Sequence, residues 1–319
     1  MSSQAMVQIA LEALSCNQKE LALRIGVSTS QISKWKNGEY MSSDMQDKFR
    51  GFMGIGNNNP DFVLLAGSLE DAEKWGKLIR YLAVLAAEEG EGIFSSADTL
   101  IDEHEILCYK TFNILHQMGV VIPKHFPEEL NIKGDYLDMD DDVLTPIHEN
   151  PFTSFISELF ESFVRVNDFY KAYLFDFIFT EEIGLHESVG WDIDSQLMHL
   201  AATKVEVDES FAPQFPKFKQ EVLGEYRDWI DTIKQKIFEA GKPLKAELMD
   251  MVNGSDIELA DHAASERYEP IKKLRVHPDI YMNELLIGMR LIHQVLPAIM
   301  KKLEIYDDFK LDEKEMGIF

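Results

Sequence analysis

The stretch NQKELALRIGVSTSQISKWKNG, residues 17–38, decides how this chain is read. Asn17-x-x-Glu20 has the spacing at which a capping side chain and a carboxylate three residues on satisfy each other's backbone N–H groups, so a helix begins at Asn17. It runs to Ile25 and stops at Gly26, a residue free to take the left-handed conformation of a tight turn. Ser28-x-x-Gln31 repeats the capping pattern and opens a second short helix that ends at Asn37-Gly38. Leu21, Ile25, Val27, Ile32 and Trp35 make one apolar seam between the two, and Ala22 is small where the helices must cross closely. Two helices locked at a fixed angle follow from these positions.

Outward from this pair, Met6, Ile9, Ala10, Ala13 and Leu14 fall at helical spacing and predict a preceding helix that ends near Ser15. Downstream, Ser43-x-x-Gln46 opens a fourth helix that closes around Phe49 and Phe52. The segment GIGNNNP then gathers Gly54, Gly56, three asparagines and Pro60, the best boundary signal in the sequence. The chain therefore divides into residues 1–56 and residues 57–319.

Once the seam is inside, Thr29, Ser30, Ser33, Lys34 and Asn37 face outward: short hydrogen-bonding groups and a cation, suited to a DNA major groove. Residues 15–38 carry Lys19, Arg24, Lys34 and Lys36 against Glu20 alone.

The combination of Gln18, Glu20-Leu21-Ala22, Gly26, Val27-Ser28, Ile32-Ser33, Trp35 and Asn37-Gly38 resembles the helix-turn-helix of the lambda-repressor and Cro family, the XRE type. The resemblance implies a small all-α domain that binds double-stranded DNA, with Gln18 and Ser28 on phosphates and Thr29, Ser30 and Lys34 at base edges. Lys34 would reach guanine O6 or N7. Ser33, Lys36 and Asn37 lie on the same surface. The family commonly has glutamate after the tryptophan, where this chain has Lys36, and the change adds positive charge at the groove. The competing reading is a protein-interaction module that kept the scaffold and lost DNA, but the outer face shows neither an apolar patch nor an acidic substitution.

Charge separates the two parts. Residues 1–56 hold six basic and five acidic side chains, whereas residues 57–319 hold 25 and 51. So acidic a body repels phosphate, which leaves DNA contact to the head and excludes a general nucleic-acid coat. Cys16 and Cys108 match neither a disulfide framework nor a paired metal-ligand spacing, and no run approaches the ~18 apolar residues that span a bilayer. A cytoplasmic protein without a membrane partner is expected.

The body reads as nearly all helix, with apolar periodicity over 69–89, 98–118, 152–183, 192–204, 214–240, 243–252 and 278–304. Residues 120–151, with four prolines and the acidic run Asp138 to Asp142, read as loop. In that loop Asp138, Asp140, Asp142 and Glu149 stand at positions 1, 3, 5 and 12 of a calcium-loop spacing, but Val143 occupies the glycine position and Pro146 follows, so a solvated acidic loop is preferred. Glu182 with His186 and Glu258 with His262 are isolated pairs four apart, commoner as surface contacts than as metal ligands. Neither a glycine-rich phosphate loop nor a nucleophile elbow is found, so no enzyme and no cofactor is expected. The aromatic run 152–180 serves as core, ligand pocket or subunit interface, and the helix 278–304, with Ile280, Leu285, Met289, Ile292, Val295, Ile299 and Leu303, either closes the body or pairs two chains. The expectation is a transcriptional regulator, a repressor, acting as a homodimer whose body binds a protein partner or small-molecule effector. The alternative is an antitoxin-like or defence-associated adaptor whose body holds a protein partner.

Overall fold

A computed structural model describes residues 3–56, 58–89, 104–240 and 278–306. Among them every regular element is helical: thirteen α-helices with short 3₁₀ turns between some of them. The head comprises α1 (Ser3–Ala13), α2 (Gln18–Ile25), α3 (Thr29–Lys36) and α4 (Ser43–Met53). Its core is Met6, Val7, Ala10, Leu21, Ala22, Ile25, Ile32, Trp35, Met41 and Phe49, with Leu14 and Val27 packed on its edge. The seam read from the sequence is thus the centre of a four-helix cluster, in which α1 supplies the third wall and α4 the fourth.

The body continues with α5 (Pro60–Ala66), α6 (Leu69–Glu89), α7 (His104–Gln117), α8 (Asp141–Glu149), α9 (Pro151–Tyr173), α10 (Phe175–Ile178), α11 (Leu197–Ala202), α12 (Phe215–Glu239) and α13 (Pro278–Lys302). Helix α9 lies between α6 and α11, and α5 packs on both α6 and α7. Trp75 anchors this core, its ring meeting Phe112 at 5.4 Å and Phe126 at 4.9 Å, edge to face. Helix α12 buries Phe218, Val222, Tyr226, Ile230, Ile233 and Ile237 along one stripe. The run 152–180 is mainly core: Phe155, Phe160, Phe163, Phe169 and Tyr170 are buried, while Phe175 and Phe179 stand 38% and 56% exposed.

Three expectations need correction. Residues 120–151 are not structureless, since 3₁₀ turns occupy Glu128–Leu130 and Tyr136–Asp138 and α8 follows directly. Asp140 is the N-cap of α8, and Asp142 lies in its first turn, where the dipole favours negative charge. The helix expected over 152–183 breaks at Leu174. Helix α4 is preceded by Ser42 as cap, not Ser43, with no side-chain capping bond; Gln46 Nε2 donates instead to the Met41 carbonyl at 3.0 Å. The helix expected over 243–252 and the pair Glu258 and His262 lie outside the described residues.

The segment between head and body is tied down. Arg50 Nη1 donates to the carbonyls of Gly56 at 2.7 Å and Asn58 at 3.0 Å, and Asn59 caps α5 through the Asp61 N–H. Helix α1 packs on α5, and Ile9 and Ile55 belong to the body's core, so the head's first helix buries residues on two sides. Asp71 fastens a second join. Its Oδ1 accepts the Phe126 N–H at 2.9 Å and its Oδ2 the Ser68 hydroxyl at 2.6 Å. Burial pushes this carboxyl up, yet the bonds from Ser68, Phe126 and His125 outweigh it and hold the group below the ordinary carboxylate value. At Gly67, φ is +93° and a Cβ would lie 2.5 Å from the Lys124 carbonyl oxygen, so only glycine lets these two segments meet.

Candidate nucleic-acid interface

The local chemistry of residues 17–38 builds the site. Asn17 Oδ1 accepts from the Lys19 and Glu20 N–H groups at 3.0 Å each, and Glu20 Oε2 accepts the Asn17 N–H at 3.1 Å, a complete capping box. Gly26 ends α2 at φ +78°, and its N–H reaches the Ala22 carbonyl. Lys48, on α4, donates to the Ile25 carbonyl, placing a cation on the free carbonyl end of α2. Ser28 then caps α3 by accepting the Gln31 N–H at 3.2 Å, with the Ser30 hydroxyl 2.8 Å away. These bonds fix the turn, those of Ser28 and Ser30 from the outer face itself.

Helix α3 is held from below. Ile32 and Trp35 are buried, and Trp35 meets Phe49 of α4 edge to face at 5.8 Å. The indole N–H donates to the Tyr40 carbonyl at 3.1 Å, and the Ser3 hydroxyl donates to the Glu39 carbonyl at 2.7 Å, so the chain leaving α3 is pinned to α1 and to α3 itself. With this side fixed, Ser28, Thr29, Ser30, Ser33, Lys34, Lys36 and Asn37 are all exposed together on α3 and its ends. Gln18 is half-buried at the first turn of α2.

Three exposed residues of the head are not readable from the motif. Glu39 Oε2 lies 3.6 Å from Lys34 Nζ, both side chains more than half exposed. The pair is solvent-screened and weak, so it is a competitor for Lys34 and not a lock. Tyr40 is 85% exposed directly beside it, and Leu23 is 82% exposed on α2. No spacing in the sequence separates such residues from ordinary loop and helix positions; the fold has to show which way they face.

The remaining candidates come apart. Glu182 and His186 belong to two 3₁₀ turns separated by Gly184 at φ +64°, not to one α-helix, and His186 Nε2 lies 3.8 Å from Glu187. Among the described residues no group of three or more histidine, cysteine, aspartate or glutamate side chains is arranged to hold a metal ion. No described helix is long and apolar enough to cross a membrane.

The body has polar clefts among the described residues, one of them beside His199. A cavity of about 450 Å³ is lined by Tyr109, Lys110, Asn113, Gln196, His199 and Glu225, among others. His199 Nδ1 is buried without a hydrogen-bond partner. Burial, with a smaller contribution from the Lys110 charge, pushes this imidazole down to about 4, so it is neutral at pH 7.

No curated protein and no solved structure matches the chain. The helix-turn-helix family model matches residues 7–44, which span the last part of α1, all of α2 and α3 and the start of α4. These are the helices that bury the seam and set α3 on the surface. Residues 7–44 are therefore a helix-turn-helix of the XRE type, the mark of a DNA-binding regulator.

Proposed function

We propose that this chain is a cytoplasmic, sequence-specific repressor that inserts α3 into the major groove and works as a homodimer on a two-fold site. The observation that carries the reading is the exposure of Thr29, Ser30, Ser33, Lys34, Lys36 and Asn37 on one helix whose other side is fixed by Ile32 and Trp35. Lys34 serves as donor to guanine. Thr29, Ser30, Ser33 and Asn37 offer hydroxyl and amide groups to neighbouring edges. Gln18, at the positive end of α2, and Ser28 serve the phosphates. As cap, Ser28 accepts the Gln31 N–H, and with Ser30 as donor in the hydroxyl pair its own proton is left for a phosphate. The acidic body stands away from the duplex, and a small-molecule effector enters the cleft beside His199.

Selection of bound sequences from a random pool with the full chain, followed by affinity measurements, tests this reading. Lys34→Ala is expected to weaken the selected site by about 1–3 kcal/mol and to relax preference at one base pair. Gln18→Ala is expected to lower affinity for all sequences alike, because a phosphate contact positions the head without reading it. Recovery of no enriched sequence, or a Lys34→Ala variant with unchanged preference, overturns the assignment.

A further inference from the structure

Helix α11 packs on both α7 and α12, and the gap between those two helices is the cleft that holds His199. At one end the gap is closed, where the Gln214 N–H donates to the Met118 carbonyl at 2.9 Å. The floor is Phe218 and His199, whose rings lie 6.2 Å apart, with Val222 and Tyr226 of the buried stripe of α12 beside them. One wall is Lys110, Asn113 and Gln117, spaced three and four apart on α7; the other is Glu221 and Glu225, four apart on α12. Such spacings put each set on a single face of its helix. Lys110 lies about two turns from the closed end and Glu225 about three, so a cation and a carboxylate stand on facing walls toward the same mouth.

Among the described residues neither of these two charges makes an ion pair. Glu221 does, with Lys217 at 3.6 Å, and His199 is neutral at pH 7, so what the cleft offers a ligand is one positive group opposite one negative group. The Nδ1 of His199 is closed off without a partner, which leaves Nε2 as the nitrogen that meets the cleft. Asn113, Gln117 and Gln196 bring carboxamides, each with two donors and an acceptor, to the same space. These features discriminate between ligand classes. A phosphate-rich anion finds Lys110 against the carboxylates of α12, and a hydrocarbon strips water from the carboxamides without replacing its hydrogen bonds. A simple cation satisfies Glu225 but is repelled by Lys110. A molecule with a carboxylate at one end and an ammonium at the other answers both walls at once, and a cleft of about 450 Å³ has room for it with a side chain over Phe218.

We infer that the cleft between α7 and α12 binds a free amino acid, with its carboxylate on Lys110 and Asn113, its ammonium on Glu225 and its side chain over Phe218 and His199. The inference rests on the effector role proposed above for this cleft, and its test uses no DNA. Thermal unfolding of the full chain with each of the twenty common amino acids at millimolar concentration is expected to single out one or a few that raise the melting temperature by about 2–4 °C. The N-acetyl and the carboxamide derivatives of that amino acid, each lacking one charge, are expected to give no rise. In titration calorimetry Lys110→Met and Glu225→Gln are each expected to weaken its binding about tenfold with an unchanged far-ultraviolet circular dichroism spectrum. Arg227→Gln, on α12 but outside the cleft, is expected to bind as the parent chain does. An equal rise from all twenty, which exclusion from the protein surface alone produces, overturns the inference, as does binding that both cleft variants leave intact. Adenosine or uridine that binds where no amino acid does, and is lost in Asn113→Leu, overturns the amino acid and keeps the cleft as an effector site; no response to any of these probes overturns both.

Discussion

At the scale of single residues, the head balances a positive reading surface against one acid that the fold brings to it. Glu39 lies 3.6 Å from Lys34 at the edge of a surface proposed to meet phosphates. Its carboxylate both competes for the lysine and repels the duplex. Glu39→Gln is therefore expected to tighten binding to all DNA by a few-fold, about 0.2–1 kcal/mol, and more at low salt than at high; titrations at two salt concentrations check it, and weaker binding would mean that Glu39 positions Lys34 for reading. In the body, His199 carries a different kind of tension. Its folded-state value near 4 lies below the ordinary histidine value of 6.5, so the unfolded chain binds the proton more readily. The stability that neutral His199 contributes is full above about pH 6.5 and is lost as the pH falls through 4. The shift sets an upper bound of about 3 kcal/mol on that loss. Denaturant titrations between pH 7 and 4 are expected to show stability falling over this window, with His199→Gln removing part of the slope; an equal slope in both proteins would show that other groups cause it.

Helices and turns show where sequence reading works and where it stops. Helices α2 and α3 were legible because every device in them is local: a cap and its partner three residues apart, a glycine at the turn, apolar residues at helical spacing. Helix α12 was legible from its apolar spacing alone, since Gln214 makes no capping bond. The stretch 120–151 was not, because its prolines and acids have the composition of a loop. Yet Pro146 is tolerated inside α8, and Asp140 and Asp142 sit at that helix's start, where carboxylates stabilise it. The order around Phe126 comes from Asp71, 55 residues away, which no local pattern announces. This geometry also decides the calcium spacing. Asp138 ends a 3₁₀ turn, Asp140 caps α8 and Glu149 ends it, so the four carboxylates are strung along a turn and a helix and do not surround a point. Millimolar calcium is expected to leave the melting temperature unchanged; a clear rise, absent in an Asp140→Asn variant, would show that the segment refolds around the ion.

At the scale of the whole molecule, what the sequence concealed is how head and body are joined. The stretch from Gly54 to Pro60 has the composition of a free linker, but Arg50 bonds across it, and Ile9 reaches from the head's first helix into the body's core. A contact between residues so far apart in sequence leaves no trace in periodicity. Its consequence bears on how two heads address DNA. A head held by packing follows the body, so in the homodimer proposed above the distance between two recognition helices is set by how the bodies pair and not by a flexible tether. One head offers only a few base contacts, too little to select a site in a genome, and a second head on the same dimer multiplies that discrimination. Two copies of α3 on one face of B-DNA must lie about 34–36 Å apart, so protection is expected on an inverted repeat whose half-site centres are about 10 base pairs apart or a multiple of that. Inserting half a turn, about 5 base pairs, turns one half-site to the far side of the duplex and is expected to reduce binding to that of a single head. Footprinting on the selected site and on spacer variants measures this. Full affinity irrespective of spacing would mean that the heads are tethered independently, and protection of one asymmetric half-site by a monomer would remove the paired mechanism altogether.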